Sequence, residues 1–527
     1  MEILIKNAKL IDGTGKPAYT GNIGIHQGKL VLSNLPDTAD EIIDAAGKYL
    51  APGFIDVHSH GDELIGSPGT FGDLCKVNQG FTTQIGGQCG VSGAPTSAAF
   101  QQDPVVSTDA MNPRLLQLRT EGLSWPEYAA FIRSVPKVTN YKLFVGFNAI
   151  RIAAMGYADR KPTDSELAHM KAMLKDAMEA GAVGMSSGLA YVPGTYADTE
   201  ELIQLCKVMA PYGGIYATHM RNESKDLLTS VKEAIRIGKE AGVAVHISHF
   251  KVMGRDYWGN HKAAIAEIEK AQAAGQDITC DQYPYNCSMT IYTPCMPPWH
   301  FTEGTEALVD KLHDPALRAK IKAEMNDPAS DYENFYRNSG GWEGVTLCYC
   351  PKTPEAEGKS VAAYAAEMGK DPFEAYFDLV IANRGVGTAV YHSISDDDIF
   401  DIIRLPYVMV GSDGLVGSRE EKCHPRGWGT MARAICAMTK DNAILPLETL
   451  IHRNTGMAAA RFGLKNKGLL QDGYDADLVL FDYEALQDNA TYANPNALAG
   501  GIARVFIGGE TVYRDSALTG ATPGKLL

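Results

Sequence analysis

The spacing of apolar positions changes twice along the chain. Residues 1–50 alternate apolar and polar side chains in short runs, MEILIKNAKLI, GNIGIHQGKLVLS and EIIDAAGKYL, with Gly-containing turns between them. Each run predicts a short strand. The same alternation returns near the end in DADLVLFDYE and ARVFIGGETVYR. Two β-rich ends around a long middle predict one satellite domain built from residues 1–51 and 467–527. The middle, 52–466, has a helical period instead. Thr163 and Glu166 form a capping box before a stripe of Leu167, Met170, Leu174 and Met178, and Gly181 stops it. The next stretch, from Asp198, carries Leu202, Leu205 and Met209 and stops at Gly213; a third carries Leu228, Val231 and Ile235 and stops at Gly242. A fourth, KAAIAEIEKAQAAG, stops at Gly275. Strand-like runs AVGMSS, GIYATH, VAVHISH and DITCDQY follow the four in turn, and repeated helix–strand units predict an α/β fold with a parallel (β/α)8 TIM barrel. Further barrel strands are expected near 52–58, 81–88, 142–147 and 406–412. Between Tyr283 and Arg384 the beat breaks, so an insertion is expected within about 287–385. A lid over the barrel mouth and a peripheral bundle are both open readings of it.

Composition narrows the function classes. The chain has 527 residues, 45% hydrophobic and 21% charged, enough for a large core that needs no covalent staple. A net charge of -15 argues against nucleic acid or an anionic membrane as partner, although a local cluster of cations can still bind an anionic small molecule. No run approaches the roughly 20 apolar residues of a membrane span, and the N-terminus lacks a signal-like apolar stretch. Ten cysteines without regular spacing read as reduced thiols, which points to the cytoplasm. Cys348 and Cys350 are too close for the usual zinc CxxC. Nothing in the composition indicates an oligomeric state.

The candidate chemistry lies where barrel strands are expected to end. His58 and His60 stand in APGFIDVHSHGD, Cys89 in TTQIGGQCGVSGAP, His219 in YATHM, His249 in HISHFK and Asp413 in VMVGSDG. Residues i and i+2 of a strand share a side, so the HxH pair offers two imidazoles together. Cys89, His219 and His249 can supply three zinc ligands while leaving a position open for water. His58, His60 and Asp413 can make a second, adjacent half-site that Cys89 is near enough to bridge. Asp413 is then placed to take a water's proton and pass it to a departing nitrogen. Lys251, two residues past His249, is expected on the same side, and Arg426 offers a planar fork suited to a carboxylate. His246 also shares that side but lies deeper, where packing is the simpler role. His26, His169, His261, His313 and His452 show no partner in the sequence.

GFIDVHSHGD, the Cys in GQCG, THMRNE, SHFK, the Tyr283-Pro284-Tyr285 run, SDG and HPR, taken in order, resemble the D-aminoacylase branch of the amidohydrolase superfamily, the N-acyl-D-amino-acid deacylases. KGLLQDGYDADLVLFD and the ending TGATPGKLL are also similar to this family's tail, and the likeness is weakest from about 290 to 400. The resemblance implies a distorted TIM barrel, a small β-sandwich from both ends, and zinc. It implies a tight zinc on Cys89, His219 and His249, and a weaker second site on His58, His60 and Asp413. It also implies a substrate carboxylate held by Lys251, Tyr283 and Arg426, the substrate being a small N-acyl-D-amino acid. Gln88 stands where the family more commonly has Asn, and GFNAIR replaces a GHxxLR-like run; both changes bear on substrate range. A hydantoinase or dihydroorotase, which cleaves a cyclic amide, is the nearest alternative. Such enzymes bridge two metals with a carboxylated lysine ending the fourth strand, and GAVGMSSGLAY contains no lysine. A non-catalytic metal scaffold would have no use for Asp413 and a cluster of cations at one mouth.

Overall fold

The computed structural model describes residues 1–66, 71–100, 111–414 and 424–527. Among the described residues, nine parallel segments frame the middle of the chain: β1 (Phe54–Asp56), β2 (Phe81–Gly86), β3 (Asn140–Leu143), β4 (Val145–Gly146), β5 (Gly184–Gly188), β6 (Ile215–His219), β7 (Ala244–Ile247), β8 (Ile278–Gln282) and β9 (Val408–Val410). β1–β3 pair in sequence order, and so do β4–β8, with β9 beside β8. Only Phe144 separates β3 from β4, and its N–H donates to Gly86 of β2. At the opposite edge a parallel bridge joins Ser59, just past β1, to Gly414, just past β9. Both faces of most strands are buried, as expected for parallel strands covered by helices. Between them pack Ile55, Ile85, Phe144, Ala217 and Met409.

The helices begin and end where the sequence signals them. In α1 (Asp164–Glu179) both halves of the Thr163/Glu166 capping box form, and Met170, Leu174 and Met178 are buried. α2 (Thr199–Met209) is capped by the Asp198 side chain. α3 (Leu227–Ala241) ends on Gly242 at φ 70°, and α4 (His261–Ala273) precedes β8. The inner face of α3 differs in detail from the expected stripe. Leu227, Val231, Ala234 and Ile237 are buried, whereas Leu228 and Ile235 are half-buried at its margin. Apolar residues occupy more of the helix than one face can hold, and the close approach comes at Gly238, where a Cβ would lie 2.2 Å from Val245 Cγ2.

The chain ends meet in one nine-stranded sheet. Tyr49–Pro52 pairs antiparallel with Leu478–Phe481, and Ile5, Ile23, Ile25, Leu50, Leu478 and Phe506 make a core of its own. The last residues then run beside β3: Tyr141 N–H donates to Lys525, and Leu527 N–H returns to Tyr141. A third body lies where the beat broke. Strands Ser288–Ile291, Val345–Tyr349 and Thr388–Tyr391 form an antiparallel sheet. Helices Thr305–Lys311, Pro315–Asn326, Val361–Met368 and Pro372–Ala382 accompany it. Met296, Leu308, Ile321, Trp342, Phe377 and Tyr391 give this insertion a separate hydrophobic core. Among the described residues, no helix is long and apolar enough to cross a membrane.

Candidate active site

The residues singled out for metal chemistry converge beyond the C-terminal ends of the parallel strands. Ligand atoms of Cys89, His219 and His249 lie within 4.8 Å of one another, and so do those of His58, His60, Cys89 and Asp413. Cys89 belongs to both groups: its Sγ is 3.4 Å from His249 Nε2 and 3.3 Å from His58 Nε2. His60 Nε2 is 3.0 Å from Asp413 Oδ1, and His58 Nε2 is 3.4 Å from the same oxygen.

Strand alternation is not what aligns these side chains. β1 ends at Asp56 and β7 at Ile247, so His58, His60, His249 and Lys251 all stand past strand ends. Local backbone sets their directions instead. Cys89, His249 and Asp413 have φ of 53°, 36° and 48°, in the left-handed region that non-glycine residues rarely occupy. Three ligand-type residues in that region at one mouth mark strain held for function. Close approach adds to it: a Cβ on Gly411 would lie 2.6 Å from the Cβ of His58, and one on Gly188 2.1 Å from the Cys89 carbonyl oxygen.

A buried ion pair braces the two strands that carry His58 and Asp413. Asp56 accepts from Lys76 Nζ at 2.6 Å, from Ser412 Oγ at 2.6 Å, and from the N–H groups of Ser412 and His58 at 2.8 and 3.3 Å. Asp413 N–H donates to the His58 carbonyl at 2.8 Å. Lys76 is only 2% exposed and Asp56 0%, so Lys76→Met leaves an uncompensated buried carboxylate. The variant should lose about 3–5 kcal/mol of stability, read as the shift in its urea unfolding curve. Adding Asp56→Asn should recover a substantial part of that loss, and a Lys76→Met curve that overlays the wild type would contradict the bracing role.

Two carboxylates that the sequence does not single out hold the imidazoles. Asp281, on β8, places Oδ2 3.1 Å from His58 Nδ1 and 2.9 Å from His246 Nε2, and its Oδ1 accepts from His249 N–H at 2.9 Å. His246 therefore supports the site from below, with Thr279 Oγ1 2.8 Å from its other nitrogen. Glu223, in THMRNE past β6, lies 3.0 Å from His249 Nδ1 and 2.5 Å from Lys251 Nζ. Burial opposes its charge, but Lys251 and then His249 hold its carboxyl down to about 2. Burial likewise opposes the Cys89 thiolate, and His58 and His249 nevertheless pull the thiol well below its usual range. Asp413 follows the same pattern, its ionised form restored chiefly by Arg426 and His58.

The expected carboxylate clamp has a distinct state in each member. Lys251 Nζ is taken up by Glu223 and lies 2.9 Å from His249 Nδ1. Arg426, the first residue of α5 (Arg426–Ile435), places Nη1 2.7 Å from Asp413 Oδ2 and donates from Nη2 to Met289 O at 2.9 Å. Its guanidinium lies 4.7 Å from the centre of the Tyr283 ring. The Tyr283 hydroxyl and Arg426 Nε are buried and have no hydrogen-bond partner among the described residues. All three members line a cavity of about 420 Å³ with His60, Cys89, His219, His249 and Asp413. The insertion supplies much of the far wall, including Ile291, Met296, Phe301, Glu333 and Phe335. Of the histidines set aside as unpartnered, His26 contacts Glu2, His261 contacts Asp398 and Asp401, and His452 contacts the Gly13 carbonyl.

The donor set fits zinc on an observation independent of the ligand pattern. Neither ring nitrogen of His219, 4% exposed, has a hydrogen-bond partner among the described residues. An imidazole buried in that state is costly unless another group takes a lone pair. A thiolate and two imidazoles suit zinc rather than magnesium or calcium.

The chain belongs to the amidohydrolase family, whose model matches residues 41–513. Within that class its similarity runs to the D-aminoacylase branch, as the motifs imply. It is 33% identical to a D-aminoacylase of Alcaligenes xylosoxydans xylosoxydans over 100% of this chain and 97% of the relative. It is 34% identical to an N-acyl-D-aspartate deacylase of the same organism, over 100% and 95%. Among solved structures, an N-acyl-D-glutamate deacylase from Bordetella bronchiseptica, complexed with zinc and a phosphonate mimic of the tetrahedral intermediate, superposes with a TM-score of 0.84. That match has 30% identity and covers 100% of this chain and 99% of the other.

Proposed function

We propose that this protein is a zinc-dependent hydrolase that cleaves N-acyl-D-amino acids to a carboxylate and a free D-amino acid. The observation that carries the reading is buried His219, whose ring nitrogens have no hydrogen-bond partner among the described residues, grouped with Cys89 and His249, while Cys89 also belongs to the group that holds Asp413. Cys89, His219 and His249 are the ligands of the tight site, and His58, His60 and Asp413 those of a weaker one that shares Cys89. Zinc, when bound, polarises the amide carbonyl and makes water a competent nucleophile near neutral pH. Asp413 takes the attacking water's proton and delivers it to the departing nitrogen. Arg426 keeps Asp413 ionised, so the base is present without a prior deprotonation. Asp281 and Glu223 fix the ring orientations of His58 and His249.

We read the strand circuit closed by the Phe144 and Ser59–Gly414 links as a distorted (β/α)8 barrel over 52–466. The nine-stranded sheet with its own core is then the small β-sandwich of residues 1–51 and 467–527. The insertion covers the barrel mouth. Unpaired buried thiols such as Cys206, Cys280 and Cys295 suit a reducing cytoplasm. A cyclic-amide hydrolase with a carboxylated lysine finds no support in β5, whose residues are Gly184, Met185, Ser186, Ser187 and Gly188.

Lys251, Tyr283 and Arg426 receive the substrate carboxylate, with the Tyr283 hydroxyl and Arg426 Nε as donors still without a partner. With the carboxylate and the amide carbonyl both pinned, the configuration at Cα decides whether the side chain enters the cavity or meets its wall. Losing a charge-assisted contact in such a site costs about 2–5 kcal/mol, or about 30-fold to several thousand-fold in rate. An N-acetyl-D-amino acid should therefore outperform its carboxamide analogue and its L enantiomer by that margin, measured as amine released. Arg426→Ala should narrow the gap to the carboxamide. Equal rates on acid and carboxamide would reject the clamp, and a preference for L substrates would reject the stereochemical reading.

A further inference from the structure

We infer that His424 is a positioning residue for the substrate-carboxylate clamp, setting where Arg426 leaves the chain by accepting its backbone N–H. The inference rests on the clamp proposed above. His424 opens the His-Pro-Arg run and is 1% exposed. Arg426 N–H donates to its Nδ1 at 3.0 Å, and its Nε2 lies 2.9 Å from the Cys287 carbonyl oxygen. A backbone N–H only donates and a carbonyl only accepts, so one neutral form of the ring, with its proton on Nε2, satisfies both contacts. The imidazole is therefore a bridge of fixed direction from Cys287 to the start of α5.

A helix start needs such a partner. The first N–H groups of a helix have no carbonyl inside it to accept them, and the preceding Pro425 brings no N–H of its own. Arg426 N–H is the first of these groups, and His424 takes it. Gln79 gives α5 a second anchor: its Nε2 donates to Gly427 O at 3.0 Å, and Met431 N–H donates to its Oε1 at 2.9 Å. The His424 ring also lies edge-to-face against Tyr283 and Tyr285, 6.3 and 5.1 Å between centres, and Tyr492 packs on it at 5.1 Å. Arg426 Nη2 meanwhile donates to the carbonyl of Met289, two residues on from Cys287. His424 and Arg426 thus grip one short segment side by side, with Tyr283 against both. A planar fork recognises a carboxylate in one plane, so the point from which it extends matters as much as its charge.

The test compares His424→Gln with His424→Asn in the full-length, zinc-loaded enzyme. Glutamine can keep the donor to Cys287 but puts no acceptor at the place of Nδ1. Asparagine loses that donor, but its Oδ1 accepts the N–H two residues on, as in an Asx turn. An N-acetyl-D-amino acid and its carboxamide are assayed by released amine. In His424→Gln, KM for the acid should rise by about 10–100-fold, as for a misplaced binding group, with kcat within about threefold of wild type. Its kcat/KM for the carboxamide should not move, because that substrate offers the clamp no carboxylate. His424→Asn should restore KM for the acid. A role in folding alone would not tell acid from carboxamide. Wild-type KM for the acid in His424→Gln overturns the inference, as does an equal loss on both substrates or a His424→Asn enzyme as impaired as His424→Gln. Arg426→Ala in the same assay distinguishes the clamp from its support. An unchanged KM for the acid there overturns the clamp and this inference with it. A raised KM there, with wild-type KM in His424→Gln, overturns the role of His424 alone.

Discussion

Replacing Cys89 with alanine should strip the protein of both its zinc and its activity. The expectation follows from the place of this side chain in the two ligand groups: one sulfur lies within reach of His58 and of His249. Removing it leaves His219 and His249 as two neutral donors without the anionic ligand that offsets the metal's charge, and it takes the shared member from the second group as well. No other cysteine, among those described, belongs to either group. Wild-type protein should carry about one tightly held zinc per chain. Cys89→Ala should carry almost none by elemental analysis after dialysis, and released amine from an N-acetyl-D-amino acid should fall to background. Since the side chain is small and the fold has a large core around it, far-UV circular dichroism should stay unchanged. Full zinc content in this variant would sink the assignment of the tight site.

Asp413→Asn should lower turnover by about 10²–10⁴ while leaving tight zinc in place. The substitution keeps the shape of the side chain and the Asp413 N–H bond to the His58 carbonyl, so the backbone turn at φ 48° is preserved. It removes the base, and an amide cannot take a proton from water at neutral pH. It also releases Arg426, whose Nη1 faces Asp413 Oδ2 at 2.7 Å. The freed guanidinium should hold the substrate carboxylate at least as well as before, so kcat should collapse without a matching rise in KM. Near-wild-type kcat would move the base elsewhere, and a large rise in KM with kcat intact would recast Asp413 as a binding residue.

Much of the framework was legible in the sequence because its signals are local. The Thr163/Glu166 capping box, the stop at Gly242 and the β-branched runs before His219 and His249 each depend on a few adjacent residues. The ligand types were legible for a related reason: histidine, cysteine and aspartate at successive strand ends are a short list. Their supporting carboxylates were not. Asp281 meets His58 across 223 positions of chain, through the pairing of β8 with β9 and the bridge from Gly414 to Ser59. Glu223 looks in sequence like any solvent-facing glutamate, and its backbone N–H is held by Glu333, 110 residues on. The reason given for the HxH geometry also changes: His58 and His60 lie past β1, where Asp56 and Ser412 hold the His58 backbone and His60 N–H donates to the Gly414 carbonyl. A positive φ at Cys89, His249 or Asp413 has no compositional signature, because it is imposed by neighbours distant in the chain.

The separate core of the insertion makes the receptor modular. Met296, Phe301 and Phe335 face the cavity from a body whose packing is centred on its own Leu308, Ile321 and Trp342, apart from the side chains that pack among the parallel strands. Substitution in that body can reshape the receptor for a substrate's variable portion while the metal-holding apparatus, strained and densely cross-braced, is left untouched. The scaffold thereby separates the side chains that do the chemistry from those that shape what is admitted, so the second set can be retuned without rebuilding the first.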